Sequence, residues 1–308
     1  MKCIVSAAAL VFAMAWTVIA GTAPALAQIT TTDRPGGGGG GSPQPGTLRP
    51  SDLPPNPQIE VAYVEPKNPA FRPIYDKLKK RRVLEDLRAF LSPLRLPGKL
   101  QVKVDQCGAS GAHYKPGGPV VICYEEIDAL EKAAPDVTLQ IGGLPFTKED
   151  ALVGAFVHIV LHEVARAVFD ILEIPVWGRE EFAADRVAGF IMFQFGEKVA
   201  YRTLVGTSWF LAQSSVAISG LPTGDFSYVR GLEGGTFQRF YNTLCIALGG
   251  DPARYAFLTK TLPEGRAQGC RWEYVQLQRS FNDTFMQHVD RELLKKVQAT
   301  DWLPPAAK

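Results

Sequence analysis

Histidine and cysteine are scarce in this chain, at four and five of 308 residues. No C-x-x-C pair occurs, which disfavours a Cys/His zinc cluster. No glycine-rich loop precedes a Lys-Ser/Thr pair and no G-x-G-x-x-G opens a helical pattern, so nucleotide binding has no support. An excess of one charge is also lacking: the formal net charge is +2 and the basic residues are scattered. The one dense run, Lys77-Leu78-Lys79-Lys80-Arg81-Arg82, lies in a helical pattern and reads as a solvated face, not a nucleic-acid patch. Beyond the first residues no apolar stretch of membrane length follows, and no internal repeat is evident.

The beginning of the chain has its own pattern. Lys2 supplies a positive start, Ile4 to Ala20 is almost wholly apolar, and Ala25-Leu26-Ala27 is a small-x-small cleavage signal before Gln28. Residues 1–27 therefore read as a signal peptide. The run is short for a span, so cleavage is favoured over a retained anchor and the mature chain is expected to be periplasmic or secreted. Gln28 to Asn56 reads as a disordered linker: a Gly36–Gly41 run and Pro-rich sequence from Pro43 to Pro55 bury too little apolar surface to offset the entropy of ordering. Residues 57–308 suit one sizeable domain, or one domain with a helical extension.

Four cysteines survive cleavage, Cys107, Cys123, Cys245 and Cys270, and an even count in an exported chain suggests disulfides. Three pairings are open. Cys107 and Cys123 bracket a Gly- and Pro-rich turn between two strand-like runs, where they would face each other across a hairpin, which leaves Cys245 with Cys270.

Alternation of apolar and polar residues predicts strands at Ile59–Glu65 and Leu100–Asp105, with a third at Pro119–Cys123. Asn68-Pro69 opens a helix expected to reach Leu91, and Tyr124–Ala134 is a second. Thr147 and Asp150 resemble a capping box at the head of a long apolar helix ending near Leu172, before Pro175. Further helices are expected at about Arg179–Phe195, Ala200–Ser214, Thr236–Ala247, Pro252–Thr261 and Arg271–Gln298. Strands first and helices after indicate an α+β fold.

The chemistry concentrates in His162-Glu163-Val164-Ala165-Arg166. In H-E-x-x-H, two imidazoles one helical turn apart bind Zn²⁺ and the Glu acts on the metal-bound water. Here Arg166 stands in the second ligand position, and guanidinium has no lone pair to give a metal. A third ligand is often a Glu on the following helix. Glu181 and Asp185, four apart, share a face there, with Glu180 as an alternative. The flanking helix is apolar almost all round, so its His, Glu and Arg need polar partners. Arg166 is expected to project into the vacated position and pair with Glu181 or Asp185. An alternative two-His pair is His158 with His162. His113 and His288 have no comparable neighbours and read as structural or exposed.

The segments His162–Asp170 and Leu172–Asp185, with Pro175-Val176-Trp177-Gly178-Arg179-Glu180-Glu181-Phe182-Ala183-Ala184-Asp185, resemble a bacterial family of exported metallopeptidases filed as a domain of unknown function. Cys107-Gly108 to Cys123-Tyr124-Glu125 and Gln238-Arg239-Phe240-Tyr241-Asn242 to Cys270 extend the likeness over most of Ile59 to Phe281. The resemblance implies a zincin-like α+β fold, with a small N-terminal sheet carrying a cysteine hairpin and a mostly helical remainder. It also implies zinc as cofactor, a peptide or protein as partner, His162 and Glu181 as ligands, Glu163 as general base and Asp185 holding His162 from behind. Both disulfide pairs agree with it. It further implies an Asp-Glu-His cluster shortly before Gln238, but Tyr228 to Gly235 has no His and only Glu233. The expectation is a metallopeptidase homologue with weak or absent activity that retains peptide binding. The rivals are an active peptidase using His158 and His162, or a structural protein of the envelope.

Overall fold

The structure, a computed structural model, describes residues 48–219 and 236–302. The expected signal peptide, the linker up to residue 47 and the Tyr228–Gly235 stretch with Glu233 lie outside the described residues. A four-stranded sheet in the order β1-β2-β4-β3 is built from β1 (Ile59–Tyr63), β2 (Leu100–Asp105), β3 (Ala112–His113) and β4 (Val120–Cys123). β1, β2 and β4 run parallel, in register Ile59↔Leu100 and Val102↔Val120, while β3 is antiparallel to β4. Helices α1 (Arg72–Lys80) and α2 (Val83–Phe90) make the crossover from β1 to β2 that a parallel pair needs. Cys107 and Cys123 are joined, closing the open end of the β3–β4 hairpin. The strands on either side of that loop, β2 and β4, lie parallel, and the chain reverses only through β3.

Helix α3 (Tyr124–Ala133) and a hairpin of β5 (Leu139–Ile141) and β6 (Leu144–Phe146) precede α4 (Lys148–Ile171). The hairpin was not expected. Its signal is Gly142-Gly143, both at positive φ, the two-residue turn that matches strand twist. Then come α5 (Glu180–Phe193), α6 (Gly196–Ser219), α7 (Thr236–Gly250), α8 (Arg266–Thr284) and α9 (Arg291–Ala299). A second disulfide, Cys245–Cys270, ties α7 to α8. Two disulfides fit an oxidising compartment outside the cytoplasm.

Four expectations need correction. Residues 48–56 belong to the folded body, because buried Asn56 donates to the carbonyls of Leu91 and Leu94 at 2.8 and 2.7 Å and Leu53 packs with Ala89 and Val297. The helix expected from Asn68 to Leu91 breaks at Arg82, which takes φ +55°. A fresh helix start follows, where the Tyr63 hydroxyl accepts from the Leu84 amide and donates to Glu85. The helix expected at Pro252–Thr261 is only a 3-10 turn, Ala256–Lys260. The Arg271–Gln298 helix is two, since the backbone at 288–290 leaves the helical path to bond Arg95 and Pro93, and Asp290 caps α9. The basic run at 77–82 is solvent-exposed at each of its cations, as read from the sequence.

Helix α4 is the axis of the fold. By length and composition it would cross a bilayer, yet most of it is buried in protein. Val160, Val164, Ala167 and Val168 pack on the sheet, while Ala151 and Leu161 face α6 and α7. Thr147 and Asp150 cap it reciprocally, at 3.2 and 2.9 Å. Thr147→Ala is expected to cost about 1 kcal/mol in urea unfolding, and an unchanged midpoint would deny the cap that role. At the other end, Ile174 and Glu173 amides bond back to Phe169 and Asp170, with Glu173 at φ +51°. Pro175 prevents continuation, so the chain turns and returns as α5.

Candidate metal centre

Contacts between α4 and α5 run in opposite order, Asp185 meeting His162 and Glu180 meeting Arg166, so the helices are antiparallel. His162 Nδ1 donates to Asp185 Oδ1 at 2.7 Å and Nε2 donates to Glu181 Oε2 at 2.9 Å. Arg166 Nη1 donates to Glu163 Oε2 at 3.1 Å and Nε to Glu180 Oε1 at 3.0 Å, with Glu181 Oε1 3.6 Å away. From α7, Arg239 grips Asp185 as a fork, Nε to Oδ2 at 2.6 Å and Nη2 to Oδ1 at 2.7 Å. Its Nη2 lies 3.4 Å from His162 Nδ1.

These charges shift one another. Burial works against a charged His162, yet the Asp185 and Glu181 carboxylates outweigh it and push the imidazole up to about 9. Burial would raise Asp185, but the Arg239 fork and the histidines hold it well below the usual carboxylate range. The His162 hydrogen bond lowers Glu181, and burial raises Glu163. His158 is driven down by complete burial. Its Nε2 is 3.4 Å from Asp185 Oδ1, but neither ring nitrogen makes a hydrogen bond.

Thus His162, Glu163, Arg166, Glu180, Glu181 and Asp185 all meet in one network. Arg166 forms the expected ion pair with Glu181, at 3.6 Å, while its hydrogen bonds go to Glu180 and Glu163 and Asp185 is taken up by Arg239. Arg239 is the residue that sequence reasoning missed. The signal available was the need of a buried Asp for a cation, together with the Gln238–Asn242 segment. His113 is exposed on β3 and His288 sits in a 3-10 turn.

A family model described as "Putative metallopeptidase" matches residues 63–285. The chain belongs to this family. No curated protein and no solved structure matches it. The family suggests a metal, and His158, His162 and Asp185 bring three donor atoms within 4.8 Å of one another. The donor chemistry does not favour one there. Both Asp185 oxygens accept from Arg239, whose fixed positive charge would face a dication at close range. In the H-E-x-x-H position the fit fails as well: His162 and Glu181 are present, but the second ligand position holds the guanidinium of Arg166, which has no lone pair to give.

Proposed function

We propose that this chain is a family member in which Arg166 has taken over the charge of the catalytic metal, leaving an exported peptide-binding protein with little or no hydrolytic activity. The observation that carries the reading is the Arg166 guanidinium bonded to Glu163 and Glu180 and close to Glu181. Of these, Glu181 and Glu163 are the carboxylates that a zinc ion and its water would otherwise engage. In the ancestral arrangement His162 and Glu181 are ligands, Glu163 is the base and Asp185 fixes the His162 tautomer. Here His162, doubly hydrogen-bonded to carboxylates, serves as a structural link between α4 and α5. The signal-peptide pattern of the sequence and the two disulfides support work in the periplasm or outside the cell.

Peptide binding rests on β3, the edge of the sheet, which packs beside α4 near Glu163. An edge strand offers unpaired backbone groups to an extended chain. Two measurements test the reading. The Arg166→His variant is expected to bind zinc more than roughly 100-fold tighter than the native chain, since loss of even an outer-shell partner costs 10–100-fold. No gain would contradict the placement of residue 166 at a ligand position. Fluorescence anisotropy with a labelled unstructured peptide should show saturable binding by the native chain, and flat titrations would leave the structural role instead. The His158/His162 pair favours a second reading, an active peptidase with altered coordination; it predicts hydrolysis of a denatured protein that Glu163→Gln abolishes.

A further inference from the structure

The face of α4 turned away from His162 and Arg166 borders a second feature, a cavity of about 1220 Å³. That exceeds the roughly 300–1,000 Å³ of an ordinary small-molecule pocket. Leu152, Val153, Phe156 and Val157 line it and remain only partly buried, in a helix otherwise packed on nearly every side. Ile74 and Leu78 of α1 line it as well. Lys77 of α1 and Arg81 at its C-terminal cap, four positions apart, also line the cavity, so the basic run has a place in the fold that the peptide site does not use. Charges of both signs meet there. Lys77 bonds Glu131 at 2.5 Å, Lys148 bonds Asp136 at 2.7 Å, and Arg81 reaches Glu149 only at 4.0 Å with its side chain 61% exposed. Asp86, Glu149 and Asp301 add carboxylates.

We propose that this cavity binds one zwitterionic phospholipid-type amphiphile, its acyl chain against the α4 face and its headgroup between the Arg81 guanidinium and the Asp86 and Glu149 carboxylates. An apolar lining of this size demands a long chain, and a rim of mixed sign fits a phosphate joined to an ammonium better than either charge alone. Shape and chemistry thus select a lipid-like ligand over a peptide.

Titration of the delipidated full chain with palmitoyl lysophosphatidylethanolamine, below its micelle concentration, tests this. One molecule per chain is expected, with the lauroyl analogue at least tenfold weaker, since each buried methylene is worth roughly fourfold in affinity. Palmitate and hexadecanol should each bind at least fivefold more weakly than the zwitterion. Val153→Trp, which fills the cavity, should lose tenfold or more, and Arg81→Ala should weaken the zwitterion while leaving hexadecanol unchanged. No binding, no dependence on chain length, or equal affinity for all three headgroups would each overturn the proposal. Binding only to phosphatidylethanolamine vesicles would also overturn it, in favour of a membrane surface. The chain-length and headgroup comparisons use the native protein and stand even if the tryptophan variant does not fold.

Discussion

Replacing Arg239 by leucine is expected to lower folding stability by about 3–5 kcal/mol, the cost of leaving a buried carboxylate without its partner. Asp185 is 3% exposed, and Arg239 supplies two of its hydrogen bonds. The Arg239→Lys variant keeps the charge but loses the fork, so an intermediate loss is expected. Removing both partners together, with Arg239→Leu and Asp185→Leu, should cost clearly less than the sum of the single changes, because no orphaned charge remains. Urea unfolding of the native chain, the three single variants (Asp185→Leu included) and the double variant measures this. A loss below about 1 kcal/mol for Arg239→Leu would show that water or His162 alone satisfies Asp185.

Gly206→Ala is expected to cost about 3 kcal/mol, because α4 and α6 cross there at backbone contact and overpacking cannot be relieved by a rotamer change. An added Cβ would lie 2.3 Å from the Asp150 carbonyl oxygen and 2.7 Å from Gly154 Cα. Beside that crossing, buried Asp150 is paired with Arg202, so any separation of the helices also pulls on an ion pair. Gly98→Ala is the control: nothing lies within 4 Å of its Cβ position, and a change within about 0.5 kcal/mol is expected. Equal thermal shifts for the two variants would refute the close crossing.

The readable parts of the fold were those where one strong local pattern decides. The Thr147–Asp150 box, the apolar α4 and Pro175 bound the motif helix, and the structure places it at Lys148–Ile171. Boundaries failed where distant contacts override local preference. The break at Arg82 depends on Tyr63, 19 positions earlier, and the break before Asp290 depends on backbone pairing with Pro93 and Arg95. The proline content up to Pro55 masks Leu53 and Asn56, whose partners lie in α2, just beyond it and in α9. At the site, the α4 and α5 residues were legible because they are close in sequence and share helix faces. Arg239 was not, since nothing local ties a residue of α7 to an Asp 54 positions away.

The proposed replacement of metal by Arg166 is tested most directly by counting zinc bound to the native chain after equilibration with the ion and removal of the excess, alongside its hydrolysis of a denatured protein. Well under one zinc per chain, with no cleavage above the buffer control, is the predicted result. One zinc per chain together with cleavage that a chelator stops would contradict it.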